Sequence, residues 1–66
     1  MKGIIKKFDK SKGFGFIAVK GHKDVFFHYS HIIVEGFKSI EAGTEVEFDL
    51  VKTERGSQAH NIIRIS

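Results

Sequence analysis

Residues 45–51, Glu-Val-Glu-Phe-Asp-Leu-Val, alternate acidic and apolar side chains almost without a break. No window longer than ten residues carries apolar residues at the i, i+3, i+4, i+7 spacing of an amphipathic helix. The chain is therefore expected to be all-β, with Val46, Phe48 and Leu50 facing a core and Glu45, Glu47 and Asp49 facing water. The same reading places further strands over residues 3–8, 14–19, 25–28 and 59–65, five in all. Proline is absent, so turns fall to Gly, Asp, Ser and Lys, as in Asp9-Lys10-Ser11-Lys12-Gly13 and Lys20-Gly21-His22-Lys23-Asp24. Thr53-Glu54-Arg55-Gly56-Ser57 is the last loop. Residues 30–43 read as a long connection with one short helical turn near Ser30–Ile33.

Five short strands in 66 residues make a single domain, residues 1–66. A chain of this size buries only about 60% of its unfolded surface. A closed or nearly closed barrel suits it, because closure removes exposed strand edges. The expected core is Ile5, Ile17, Val25, Phe27, Val46, Phe48, Leu50 and Ile62. Cysteine is absent, which excludes disulfides and thiolate metal sites. No apolar run approaches the roughly 18 residues of a spanning helix, and no signal-peptide h-region is evident, so no membrane association and a cytoplasmic location are expected.

Two stretches place aromatics where a small domain should be wet. Phe14 and Phe16 share one face of their strand, opposite Gly13, Gly15 and Ile17. Phe26 and His28 share one face of the next, opposite Val25 and Phe27. Phe26 and Phe27 are adjacent and cannot both point inward, so part of this aromatic content must be exposed. Charge is polarised along the chain. Residues 1–23 carry seven lysines against Asp9, residues 24–50 carry six carboxylates against Lys38, and residues 51–66 carry Lys52, Arg55 and Arg64 against Glu54. One basic and one acidic face follow, and exposed rings among lysines form a stacking surface for unpaired bases. Simple burial of the phenylalanines, or a merely solvated lysine-rich surface, is the competing explanation.

Lys12-Gly13-Phe14-Gly15-Phe16-Ile17 and Val25-Phe26-Phe27-His28-Tyr29 resemble the two ribonucleoprotein motifs of the bacterial cold-shock proteins. The resemblance extends to Gly36-Phe37-Lys38-Ser39, Glu45-Val46-Glu47-Phe48 and Arg55-Gly56-Ser57-Gln58-Ala59, essentially the whole chain. It implies an OB-type five-stranded antiparallel barrel that binds single-stranded RNA and DNA and acts as an ATP-independent RNA chaperone, with roles in transcription or translation. Carried over, Phe14, Phe16, Phe26, His28, Tyr29 and Phe37 are stacking residues, with Phe8 beside them. Lys6, Lys12, Asp24, Lys38, Arg55 and Gln58 are polar contacts. Three positions depart from the family: Lys7 stands where tryptophan is usual, Asp9 where asparagine is usual, and Ser57 where proline is usual. Lys7 is expected to contribute charge in place of a ring, Asp9 to repel phosphate, and Ser57 to leave the last loop less rigid.

Other chemistries fit poorly. Gly13-x-Gly15 lacks the third glycine, the Gly-Lys-Ser/Thr ending and the helix of a phosphate loop. His28-x-x-His31 lacks the supporting ligands of a metal site, and His60, sharing a strand face with Ile62, reads as half-buried packing. Tyr29-Ser30-His31 has no orienting acid. Neither an enzyme nor a cofactor-dependent protein is expected. The rival class is a protein-interaction or self-associating module that uses the same Phe patch; a monomer is expected, with a strand-exchanged dimer as the alternative.

Overall fold

A computed structural model describes residues 1–33 and 40–65. Five strands are present: β1 (Lys2–Asp9), β2 (Phe14–Ala18), β3 (Val25–His28), β4 (Glu45–Thr53) and β5 (Gly56–Arg64). A 3-10 turn, Tyr29–His31, follows β3. The strands run β1-β2-β3-β5-β4 around a closed barrel, with β4 paired back onto β1. The ladders are antiparallel except at the β3–β5 seam, which is parallel through Phe26 opposite Gln58. This exception to an antiparallel sheet is topological. Strand directions cannot alternate all the way around a ring of five, so one neighbouring pair must run the same way.

Seven of the apolar residues that alternation assigns to the interior are fully enclosed: Ile5, Ile17, Val25, Phe27, Val46, Phe48 and Ile62. Leu50 packs on this cluster from its edge and is only partly buried. Ile32, Ile40 and Ala59 complete the core, although none was expected there. Ile32 and Ile40 lie within the long connection of residues 30–43, where no strand period flags them. β4 and β5 also run further toward their shared turn than the apolar pattern suggests. Their polar ends pair through the backbone, Lys52 with Ser57 and Thr53 with Gly56. The Thr53 hydroxyl donates to the Gly56 carbonyl at 2.7 Å and accepts from the Arg55 N–H at 3.2 Å, closing the turn.

Two bulges interrupt the alternation, and both place side chains that matter later. On β1, Ile5 lies opposite Ile17 but Lys7 lies opposite Phe16, so Lys6 is an extra residue. Strict alternation from buried Ile5 would send Lys7 inward and Phe8 outward. The bulge reverses this: Lys6 and Lys7 are both exposed, and Phe8 packs on the core. Burying the Lys7 ammonium would be far costlier than one irregular pair. On β5, three residue steps from His60 to Ile63 oppose two on β4, from Asp49 to Glu47. Asn61 takes up the extra step at φ 52, a left-handed conformation that Asn tolerates better than most residues. His60 is consequently half-buried, as expected, but on the opposite face from enclosed Ile62, where strict alternation would have put them together.

Gly15 sits where β1, β2 and the Phe27 ring converge. A Cβ at this position would run into the Lys7 carbonyl oxygen and come within 2.8 Å of the Phe27 ring. Both obstacles are hard to move: one is backbone and the other is the largest fully enclosed side chain. Gly15→Ala should therefore destabilise the domain by about 1–3 kcal/mol, the range for overpacking. The urea midpoint measures this. Lys20→Ala, on an exposed turn, should stay within about 0.5 kcal/mol.

Candidate nucleic-acid interface

The ladder registers set out one outward face. Across β1, β2, β3 and β5, Lys7 lies beside Phe16, Phe16 beside Phe26, and Phe26 beside Gln58. A second row runs from Asp9 to Phe14 to His28. All these residues except exposed Lys7 are half-buried, while Val25, Phe27 and Ile17 on the opposite face are enclosed. The rings form a contiguous cluster. Phe14 and Phe26 lie 5.7 Å apart between centroids, Phe16 and Phe26 5.9 Å, and Phe14 and Phe16 6.5 Å. The two contacts of Phe16 are edge-to-face, at 74° and 86°, the arrangement that the ring quadrupoles favour.

Tyr29 extends the cluster at its lower corner. Its ring is 4.8 Å from that of His28, and the residue is 45% exposed. Gly13 makes room for it. The Tyr29 N–H donates to the Gly13 carbonyl at 2.8 Å, and a Cβ on Gly13 would come within 2.8 Å of the Tyr29 ring. Gly13 also holds φ at 77°, a second reason for glycine there. The His28 ring has a defined tautomer. Its Nδ1 accepts from the Ser30 N–H at 3.2 Å and lies 2.9 Å from the Ser30 hydroxyl. A backbone N–H can only donate, so in the neutral ring the proton sits on Nε2. His28 therefore offers an acceptor-seeking edge as well as a planar face.

The remaining predicted residues divide into four groups. Phe8 stands apart from the outer rows: its ring stacks on enclosed Phe27 at 5.7 Å and 26°, a consequence of the β1 bulge. Lys6 and Asp24, both expected as polar contacts, meet each other, with Lys6 Nζ 2.9 Å from Asp24 Oδ2. The pair is largely exposed, so it contributes little to stability. Lys12 and Arg55 are exposed on the β1–β2 and β4–β5 turns. Phe37 and Lys38 lie outside the described residues.

Asp9 has a role that the sequence reading missed. Its Oδ1 accepts from the Ser11 hydroxyl at 2.7 Å, the Ser11 N–H at 3.0 Å and the Lys12 N–H at 3.2 Å. The carboxylate organises the β1–β2 turn as an Asx-type cap, and the Asp-x-Ser spacing was the available signal. His28 and His31 do not converge: His28 engages Ser30, while His31 stacks on His60. No group of three or more His, Asp or Glu side chains among the described residues is arranged to hold a metal ion. No helix among them is long and apolar enough to cross a membrane.

A closed five-stranded barrel of this kind, here with an outward aromatic face and Lys7 beside Phe16, is the architecture of an OB-type domain. The chain belongs to the cold-shock domain family: the family described as 'Cold-shock' DNA-binding domain matches residues 1–65. This is a family of nucleic-acid-binding proteins. The chain is 50% identical over 64 residues to the cold shock protein CspA of Staphylococcus saprophyticus, covering 97% of each chain. It is 48% identical to the CspA of Staphylococcus aureus over the same length and coverage. Among solved structures, Drosophila Unr CSD456 superposes with a TM-score of 0.81 at 29% identity. That match covers 98% of this chain and 26% of the Unr chain.

Asp9 generates a prediction about acid. Its pKa is lowered from the ordinary 3.8, first by the Ser11 hydroxyl bond and then by the Lys12 N–H. A carboxyl with a depressed native pKa stabilises the fold above its unfolded pKa, and that contribution disappears as pH falls through the native value. The Ser11 and Lys12 amide resonances should therefore titrate together with a midpoint below 3.8. Asp9→Asn should abolish this titration while keeping the turn, because the amide oxygen accepts the same bonds.

Proposed function

We propose that the chain is a sequence-tolerant single-strand binder of RNA and DNA that acts as a monomeric, ATP-independent RNA chaperone in the cytoplasm. The carrying observation is the Phe14–Phe16–Phe26 cluster, outward and half-exposed directly over the enclosed Phe27. Exposed rings oppose solubility, and a bordering set of lysines gives them a partner with π-faces and negative charge. The lysines draw in the backbone, and the rings hold successive bases unstacked from one another. A base held on the protein cannot pair, so weak hairpins open without nucleotide hydrolysis. The family relationship supports the same reading, with consequences for transcription or translation following from changed RNA structure.

Stacked duplexes should bind poorly, because their bases present no free faces and the A-form major groove is closed to side chains. A labelled pyrimidine-rich strand tests the central reading. Affinity should fall with salt at a log–log slope of about −0.7 per phosphate neutralised. Phe16→Ala and Phe26→Ala should each weaken binding by about 1–3 kcal/mol. Binding that ignores salt and both substitutions, with concentration-dependent self-association, would instead identify the Phe patch as a protein-interaction surface. Opening of a fluorophore–quencher RNA hairpin without ATP is the direct readout of chaperone action.

Lys7 supplies a second measurement. It lies opposite Phe16 at the β1 border, where the family usually carries tryptophan. Lys7→Trp should tighten binding to thymine- or uracil-rich strands and flatten the salt slope by about one phosphate's share, roughly 0.7. An unchanged affinity would mean that the charge already matches what a ring would add.

A further inference from the structure

The outward face continues past β3. Gln58 lies beside Phe26 across the parallel β3–β5 seam, and His60 follows two residues further along β5. His31, at the end of the 3-10 turn, lies flat against His60, with centroids 3.8 Å apart and planes 9° apart. Both imidazoles are half-buried, and His60 Nε2 lies 3.4 Å from Gln58 Oε1. The His31–His60 pair thus lies at the β5 side of the ring-bearing face, next to Gln58, which itself lies beside Phe26.

We propose that the His31–His60 stack, edged by Gln58, is an additional base-binding position at the β5 border of the interface. It takes an unpaired base beyond those on the Phe cluster, and it rests on the single-strand reading above. The geometry selects this occupant. Imidazole lone pairs lie in the ring plane, and two parallel planes 3.8 Å apart cannot both aim at one metal ion at the usual distance of about 2.0–2.1 Å. A phosphate is disfavoured because Asp49 is the β4 partner of His60, where its Oδ2 accepts from Asn61 Nδ2 at 2.9 Å. A neutral planar base meets neither objection, and the Gln58 amide adds a donor and an acceptor for its edge.

The stack is not needed to fasten the 3-10 turn to β5. Ile32, just after the turn, is enclosed and bridges to Ile62, and the Ile33 N–H donates to the Ile62 carbonyl at 2.7 Å. The position also lies on the opposite side of the Phe cluster from Lys7, where a charge occupies the place of a ring. The interface is displaced toward β5 relative to what its two motifs alone describe.

The test is binding of labelled oligothymidylates of roughly four to ten nucleotides at fixed salt. Affinity of the unaltered protein should rise with length until the last position is filled. His31→Ala/His60→Ala should stop gaining affinity one nucleotide earlier and lose about tenfold on the longest strands. His60→Phe, which keeps a stacking ring, should recover most of that loss. Imidazole proton resonances of His31 and His60 in the unaltered protein should shift with the longest strand and stay put with the shortest. Equal length profiles for the double variant, or histidine resonances that never move, would overturn the proposal and leave the stack as packing alone. Failure of the unaltered protein to bind even the longest strand would overturn the single-strand reading itself, and this position with it.

Discussion

The contact on which the binding face depends is Gly15 against the Phe27 ring. β2 must cross β1 and β3 closely enough to keep Phe27 fully enclosed while its own phenylalanines point the other way. A side chain at residue 15 would push the Phe27 ring and the β1 backbone apart. With glycine there, the bulk of β2 lies on one face only, and Phe14 and Phe16 stand out over a filled interior. β3 does the same with adjacent residues, Phe27 inward and Phe26 outward. The inner ring stiffens the sheet, and the outer rings sit on that stiffness. Their separations of 5.7–6.5 Å are thus set by strand spacing rather than by flexible loops.

Much of this was legible from residue order. Alternation in residues 45–51 and the Phe26-Phe27 pair are enough to assign inside and outside, and they give the five strands and most of the core. The bulges were not legible by the same rule, because period-two reasoning assumes an unbroken ladder. Each leaves a trace nevertheless. Ile5 and Phe8, like Ala59 and Ile62, are apolar residues three apart with two polar residues between them, and all four pack in the interior. In a strand that spacing is incompatible with one face unless an extra residue intervenes. Phe8, which the family resemblance sets beside the stacking residues, instead packs on Phe27 in this barrel. Ile32 and Ile40 escape for a different reason: they lie in the connection over residues 30–43, where the sequence carries no sustained period.

The polarised charge becomes more specific once side chains are positioned. Two carboxylates lie within the basic part of the chain or at its edge, and each has a partner. Asp24 meets Lys6, and Asp9 is surrounded by the hydroxyl and N–H groups of its own turn. Neither is a bare negative charge facing an incoming backbone. Asp9 therefore organises the turn. On β4 the outward acids follow the alternation, and Glu47 lies across from Lys2 of β1. The acidic strand thus borders the start of the basic one instead of forming a separate face.

Charge and rings act over different distances, which orders their contributions. Lysine attraction extends over a Debye length, about 8–10 Å at physiological salt, whereas a ring contributes only in contact. In the proposed binding mode a strand is first held loosely by its phosphates and then committed base by base. At the β1 border Lys7 serves the first of these steps in a place where a ring would serve the second. Its position opposite Phe16 is a product of the Lys6 bulge, since an unbroken ladder would have turned it inward. The same irregularity that removes Phe8 from the outer rows therefore supplies the cation beside Phe16. In the proposed mode, one extra residue in β1 sets the balance between capture and commitment at this border.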